Sequence, residues 1–158
     1  MTITNNVVNR SVVLTDYIPL QVRTEKECRE VEYCSFRKSD TSLLELAFDQ
    51  TDQLVHRITL LLCADYRQSA EEYQLPADCI KGDLLMDSSA DIDTAVFSCV
   101  IYSNAVRITV SDLPVCKSVL SDNIVWGLSE HSELVSLCLI DETGKASEHC
   151  NLELSSNQ

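Results

Sequence analysis

Glycine and proline are scarce in this chain, which contains three of each among 158 residues. The glycines, Gly82, Gly127 and Gly144, are too far apart to form a phosphate-binding loop or a dinucleotide fingerprint, both of which need closely spaced glycines. The chain also lacks the G-x-S-x-G and H-E-x-x-H motifs that mark two large hydrolase classes. We therefore predict no nucleotide chemistry, no cofactor and no catalytic residues.

Basic residues are also few, since 12 Lys and Arg stand against 25 Asp and Glu and the formal net charge is −13. The imbalance is greatest in residues 80–158, which have 12 acidic and 4 basic side chains. A surplus of this size repels nucleic acid and anionic membranes and attracts basic partners. We reject a nucleic-acid-binding function, because the chain has no basic cluster beyond Arg37 and Lys38.

Long apolar runs and leader sequences are not found either. Residues 1–6 lack the basic and apolar regions of a signal peptide. The longest apolar run, residues 58–64, is far shorter than the roughly 20 residues that a membrane-spanning helix needs. The sequence predicts one cytoplasmic domain over residues 1–158, without a membrane partner and with a frayed end at 155–158.

Cysteine is plentiful, but its spacing does not indicate a metal site or a disulfide framework. None of the eight cysteines forms a C-x-x-C or C-x-C pair, and no histidine lies at ligand spacing from paired cysteines. Cys63, Cys99 and Cys138 lie in apolar runs, where a reduced thiol behaves as a small buried hydrophobic group. We predict no metal site and reduced, structural thiols.

Strands separated by short polar turns dominate the pattern of the chain. Three hairpins are expected, at residues 43–62, 95–110 and 123–140, and their turns are too short for parallel crossovers. Short helices are expected at 66–73 and 145–154. The predicted fold is all-β or β-dominated α+β, an antiparallel meander that forms a sandwich or a partly closed barrel with one or two short helices.

Acidic side chains around a single tryptophan are the candidate binding residues. Trp126 precedes a predicted hairpin tip that carries two glutamates, and an acidic stretch without a basic residue lies at 82–93. An aromatic anchor ringed by carboxylates suits an interface with a basic protein, because charge steers the encounter and the aromatic group supplies the hot spot. The alternative for Trp126 is a core aromatic. The predicted partner-binding residues are Trp126, Glu130, Glu133, Asp141, Glu142, Asp83, Asp87, Asp91 and Asp93.

Three segments carry a resemblance to a known class of protein. LELAFDQTDQLVHRITLLL at 44–62, KGDLLMD at 81–87 and VWGLSEHSELVSLCLI at 125–140 resemble small bacterial immunity proteins of contact-dependent growth inhibition and polymorphic-toxin systems. The likeness covers residues 43–150 and is one of hairpin layout, without a diagnostic motif. It implies a cytoplasmic, non-enzymatic inhibitor that binds one cognate toxin domain, commonly a basic nuclease, and occludes its active site.

Two other functions remain open at this point. An antiparallel barrel can hold a small apolar ligand in its mouth, so a small-ligand-binding module is one alternative. A hydrolase that uses a pair of scattered carboxylates is the other, and it would require a deep cleft with two carboxyl groups of raised pKa.

Overall fold

Fifteen strands and one helix make up the regular structure of residues 1–156, the part of the chain that this computed structural model describes. The strands are β1 (Thr2–Thr4), β2 (Ser11–Val12), β3 (Leu20–Arg23), β4 (Val31–Lys38), β5 (Ser42–Asp49), β6 (Val55–Leu62), β7 (Tyr66–Gln68), β8 (Ile80–Lys81), β9 (Asp83–Leu85), β10 (Ala90–Asp93), β11 (Ser98–Ile101), β12 (Ala105–Thr109), β13 (Lys117–Ser121), β14 (Ile124–Leu128) and β15 (Leu134–Ile140), and the helix is α1 (Lys145–Ser156). The fold is therefore β-dominated, as predicted.

The first large sheet has six strands in the order β10-β4-β5-β6-β3-β2. Its centre is the predicted hairpin at 43–62, in which β5 and β6 pair antiparallel. Apolar residues alternate along β5, so that Leu44, Leu46 and Phe48 are buried on one face. The edge strand β10 joins parallel to β4. This sheet presents one apolar face to the core and one polar face outward.

The second large sheet has seven strands in the order β7-β11-β12-β15-β14-β13-β8. It contains the other two predicted hairpins, β11–β12 and β14–β15, and both are antiparallel. The three hairpins do not form one continuous meander, because the first lies in the other sheet and because β12 pairs with β15 instead of β14. That long-range pairing brings residues 105–109 beside residues 136–140.

One hydrophobic core lies between the two sheets. It combines Leu44 and Ile58 of the six-stranded sheet with Ile108, Trp126 and Leu137 of the seven-stranded sheet, all of them fully buried. Neither sheet closes on itself, so the partly closed barrel is wrong and the sandwich is confirmed. A two-stranded ribbon of β1 and β9 adds to the core through Leu84.

One of the two predicted helices is present. Ala146, Cys150 and Leu154 form the buried stripe of α1, and the Asp141 carboxylate accepts a hydrogen bond from the backbone N–H of Ala146 at 2.9 Å. The helix predicted at 66–73 is wrong, because its first residues form β7 beside β11 and the segment has no apolar stripe to bury. Of the segment predicted to fray, 155–156 ends α1 and 157–158 lies outside the described residues.

An ion pair lies inside the protein, between Arg10 and Asp83, and both side chains are fully excluded from solvent. Arg10 Nη2 lies 2.9 Å from Asp83 Oδ2 and 3.1 Å from Oδ1. The same guanidinium donates to the Val55 carbonyl from Nε at 3.1 Å and from Nη2 at 2.8 Å. Burial lowers the pKa of Arg10, and the Asp83 carboxylate opposes that shift. The pair connects the segment before β2 with β9 and β6.

Asp83 is bonded on every side. Ser121 Oγ donates to Oδ2 at 2.8 Å, and Oδ1 accepts from Trp126 Nε1 at 3.2 Å and from the Leu84 N–H at 2.8 Å. A buried charge is tolerated when its lone pairs are satisfied in this way. These bonds add β13 and β14 to the segments that meet at the pair.

All eight cysteines are free thiols, as predicted. Five are buried, namely Cys34, Cys63, Cys99, Cys138 and Cys150, and Cys116 is exposed. Burial raises the pKa of the Cys34 thiol to about 11 and those of Cys63 and Cys138 to about 12.

Residues 1–156 include no helix that is long and apolar enough to cross a membrane.

Removing one member of the buried ion pair should be strongly destabilising. We expect Asp83→Ala to lower the free energy of unfolding by about 3–5 kcal/mol, because it leaves Arg10 buried without a counter-charge. Asp87→Ala is the matched control, since that side chain is 68% exposed and should change stability by no more than about 0.5 kcal/mol. Urea unfolding measures both, and equal effects would contradict the role given to the pair.

The thiols should react in an order set by burial. In the native protein we expect a thiol reagent to label Cys116 first and the five buried cysteines very slowly, because burial disfavours the reactive thiolate. In denaturant without reductant, all eight should react. Mass spectrometry of the labelled protein counts the modified thiols, and fewer than eight after unfolding would indicate a disulfide.

Candidate functional site

A groove of about 460 Å³ opens at one end of the sandwich, where the two sheets meet. Its floor is apolar and includes Phe36 of β4, Val110 after β12 and Leu134 of β15. Ile92 of β10 lies at its margin and is 37% exposed. An open groove with an apolar floor is an arrangement that ligand and partner sites use.

The rim of the groove is acidic. Asp93, Asp112 and Glu133 line it, and all three residues are exposed. His131 also lines the groove and is exposed, Lys and Arg are missing from the described lining, and the ammonium of Met1 supplies a positive charge beside Asp87. The groove therefore combines a negative rim with an apolar floor, which favours a basic side chain that has an apolar stem.

Two backbone hydrogen bonds hold the segments that carry the acidic residues in place. The Thr94 N–H donates to the Arg37 carbonyl at 2.8 Å, which fixes the segment after Asp93 against β4. The Val110 N–H donates to the Val135 carbonyl at 2.8 Å, so the segments that carry Asp112 and Glu133 run side by side. The ends of neighbouring strands thus position the rim.

The turn that carries Glu133 is itself ordered. The Ser129 hydroxyl accepts from the Glu133 N–H at 3.1 Å, and the Ser129 N–H donates to the Glu133 carbonyl at 2.9 Å. Ser132 has a φ of 60°, a left-handed conformation that closes the turn. This turn holds Glu133 at the groove and Glu130 at the exposed tip.

The structure divides the residues that the sequence nominated. Asp93 and Glu133 meet in the groove. Glu130 is exposed on the neighbouring turn, and Asp91 is exposed on β10 beside the outer face of β4. Asp87 is also exposed, and its carboxylate lies 3.9 Å from the backbone amine of Met1, which lines the groove.

Trp126 and Asp83 are not surface residues, so they cannot contact a partner in the folded protein. Both have an exposed fraction of 0%. The core alternative applies to Trp126, because β14 lies inside the seven-stranded sheet and the indole faces the buried ion pair, with Arg10 5.7 Å from its ring centre. The Asp83 carboxylate accepts hydrogen bonds from Arg10, Ser121 and Trp126 inside the protein.

Asp141 and Glu142 lie at the other end of the seven-stranded sheet. They follow the last residue of β15, whereas Glu133 precedes its first residue, so the length of a seven-residue strand separates the two groups. Asp141 also has a local role, since it accepts from the N–H groups of Thr143 and Ala146 at the start of α1. Burial acts to raise the pKa of Asp141, but these hydrogen bonds outweigh it, so the pKa is lowered.

A second cluster of titratable groups joins β3, β6 and the turn between β5 and β6. His56 Nδ1 lies 2.7 Å from Thr24 Oγ1, and His56 Nε2 lies 2.9 Å from Asp52 Oδ2. This hydroxyl–imidazole–carboxylate order is also found in nucleophilic active sites. Here Thr24 is 8% exposed and His56 4%, and the Thr24 N–H donates to the His56 carbonyl at 2.8 Å. We interpret the cluster as a link between three segments.

Carboxyl pKa values also bear on the hydrolase alternative. Hydrogen bonds from the Thr51 hydroxyl and N–H lower the pKa of Asp49 to about 2. At Asp52, burial acts to raise the pKa, but hydrogen bonds from Lys26 and His56 outweigh it and the pKa is lowered. A general acid needs a raised pKa, so these carboxylates do not fit that role.

Within residues 1–156, no group of three or more His, Cys, Asp or Glu side chains is arranged to hold a metal ion.

Sequence reasoning missed Asp112 and the apolar floor. Asp112 follows β12 in the run Ser111-Asp-Leu-Pro, and its position just after a strand was the available signal. Phe36 and Glu133 are 97 positions apart in the sequence, so only the packing of the sheets shows that both line one groove. Comparison with protein-family models finds no matching family, and a search of curated proteins finds no match.

The Asp49 turn should make stability depend on acidic pH. The pKa of Asp49 is lowered by folding, from an ordinary value of 3.8 to about 2, so its contribution is present above about pH 4 and is lost as the pH falls towards 2. We expect wild type to be more stable than Asp49→Asn at neutral pH and the difference to shrink between pH 4 and pH 2. Urea unfolding at several pH values tests this, and a constant difference would contradict it.

Proposed function

We propose that this protein is a non-enzymatic, cytoplasmic binding protein that neutralises a basic toxin domain by covering its active site. The observation that carries the proposal is the acidic groove, in which Asp93, Asp112 and Glu133 surround an apolar floor. The net charge of −13 supports the same class of partner, because it attracts a basic surface from a distance. The resemblance of the three sequence segments to immunity proteins suggests that this partner is a toxin, commonly a nuclease.

The chemistry of the groove favours a lysine or arginine of the partner at its centre. The aliphatic stem of such a side chain would lie on Phe36, Val110 and Leu134, and its charged group would reach the carboxylates of the rim. A nuclease binds its anionic substrate through basic residues of this kind. An inhibitor with an acidic groove would occupy those residues and exclude nucleic acid without doing any chemistry itself.

Genome context is the first test of this proposal. We expect the gene immediately upstream to encode a large secreted protein with a variable, basic C-terminal domain. Expression of that domain alone should arrest bacterial growth, and co-expression of this protein should restore it. Growth arrest that this protein does not relieve would overturn the proposal.

Charge reversal in the groove tests the binding surface itself. We expect Asp93→Lys with Glu133→Lys to slow association with the purified toxin domain by about tenfold or more and to flatten its dependence on salt, because electrostatic steering is lost. The double variant Glu72→Lys with Glu142→Lys is the matched control. Both of its positions are exposed, neither lines the groove, and the net charge changes equally.

Surface plasmon resonance at two or more salt concentrations measures both double variants. Equal slowing by the two would mean that only net charge matters and that the groove is not the binding site. Thermal unfolding of each variant, measured alongside, should be close to that of wild type because all four positions are exposed.

A further inference from the structure

A second depression lies on the outer face of the six-stranded sheet, away from the acidic groove. It has a volume of about 900 Å³ and lies between β2, the loop at 24–28 and the outer ends of β3 and β6. Val31 of β4 lines it, whereas Phe36 of the same strand lines the acidic groove, so about 16 Å of strand separates the two sites. Its volume is in the range of pockets for small molecules.

Two arginines stand directly opposite each other in this cleft. Arg23 of β3 and Arg57 of β6 are register partners in the antiparallel pair, so their side chains leave the same face of the sheet as close neighbours. Both are exposed. Among residues 1–156, no acidic side chain lies within ion-pair distance of either guanidinium, although the chain has twice as many acidic as basic residues.

This pairing of like charges is unfavourable for folding by itself. Opposed like charges on neighbouring strands repel each other and lower the stability of the sheet. Arg57 is also oriented, because its Nη2 donates to the Tyr33 hydroxyl at 3.1 Å across the small Ala47 residue. Guanidinium groups at opposed positions of neighbouring strands can reach one anion together, and arginine is the donor that proteins use to bind a carboxylate or a phosphate through several hydrogen bonds at once.

Apolar residues line the cleft beside the arginines. Leu14 and Val31 are 51% and 41% exposed, which is high for such side chains, and the half-buried Val12 and Val13 extend the same surface. Glu25 and Glu27 of the loop also border the cleft, while Lys26 is engaged by Asp52 at 2.8 Å. The cleft thus offers an apolar wall together with two arginines that form no ion pair with the described residues.

We propose that this cleft binds a small amphiphilic anion, whose carboxylate or phosphate group lies between Arg23 and Arg57 and whose short apolar chain lies on Leu14 and Val31. The bound anion would remove the repulsion between the two arginines. The inference is independent of the proposed toxin-binding function, because it uses other residues and another end of β4.

Thermal unfolding with defined probes tests the proposal. We expect hexanoate or hexyl phosphate to raise the melting temperature above that in sodium chloride of equal ionic strength, and titration calorimetry to give saturable binding. Binding of only one of the two would identify whether the natural group is a carboxylate or a phosphate. Hexanol, which has the same chain without the charge, should bind far more weakly.

Variants separate a binding role from a structural one. We expect Arg23→Gln and Arg57→Gln each to weaken binding of the better probe by about tenfold, because a charged hydrogen-bonding partner is lost. Without ligand, Arg23→Gln should be as stable as wild type or more stable, since the repulsion is relieved. Arg67→Gln is the control, because Arg67 is exposed on β7 in the other sheet and should bind as wild type does.

Three results would overturn the inference. Sodium chloride could stabilise the protein as much as both amphiphilic anions do, which would exclude a specific site. Hexanol could bind as tightly as the anions, which would make the cleft a purely apolar one. Arg67→Gln could weaken binding as much as Arg23→Gln and Arg57→Gln, which would reduce the effect to net charge.

Discussion

The buried ion pair of Arg10 and Asp83 is the interaction on which the arrangement of this protein most depends. It lies where the N-terminal segment, the β1–β9 ribbon and both large sheets meet, and it bonds to Val55, Ser121 and Trp126. A buried pair costs desolvation energy, so it need not make the fold more stable than an apolar packing would. Its geometry nevertheless favours this arrangement of the segments, since separating Arg10 from Asp83 would leave a charge unpaired in the core.

Both candidate sites depend on segments that this pair holds. Arg10 directly precedes β2, which forms a wall of the cleft that contains Arg23 and Arg57. Asp83 begins β9, which pairs with β1, and Met1 next to β1 lines the acidic groove. Gly82 lets this ribbon approach closely, because a side chain there would collide with the Thr4 carbonyl. One internal contact therefore positions parts of two surface sites.

The two sites have opposite chemistry on one acidic molecule. The groove gathers carboxylates around an apolar floor and suits a basic side chain, whereas the cleft gathers two cations beside an apolar wall and suits an anion. The separation along β4 keeps Asp93 and Glu133 from pairing with Arg23 and Arg57. Charged side chains that pair with each other inside the protein, as Arg10 and Asp83 do, are not available to bind a partner or a ligand.

The amino-acid pattern alone determined most of the local elements. Alternation in 43–48, short turns and the apolar stripe of 145–154 predicted hairpins and α1, because strand and helix periodicity are properties of neighbouring residues. It also placed Asp93 and Glu133 among the candidates, since charge is visible in composition. Only the tertiary structure decided that Trp126 and Asp83 lie inside, that Asp112 joins the groove and that Arg23 faces Arg57. These outcomes depend on pairing between strands far apart in sequence and on the fact that burial of one charge requires its partner, which no local pattern contains.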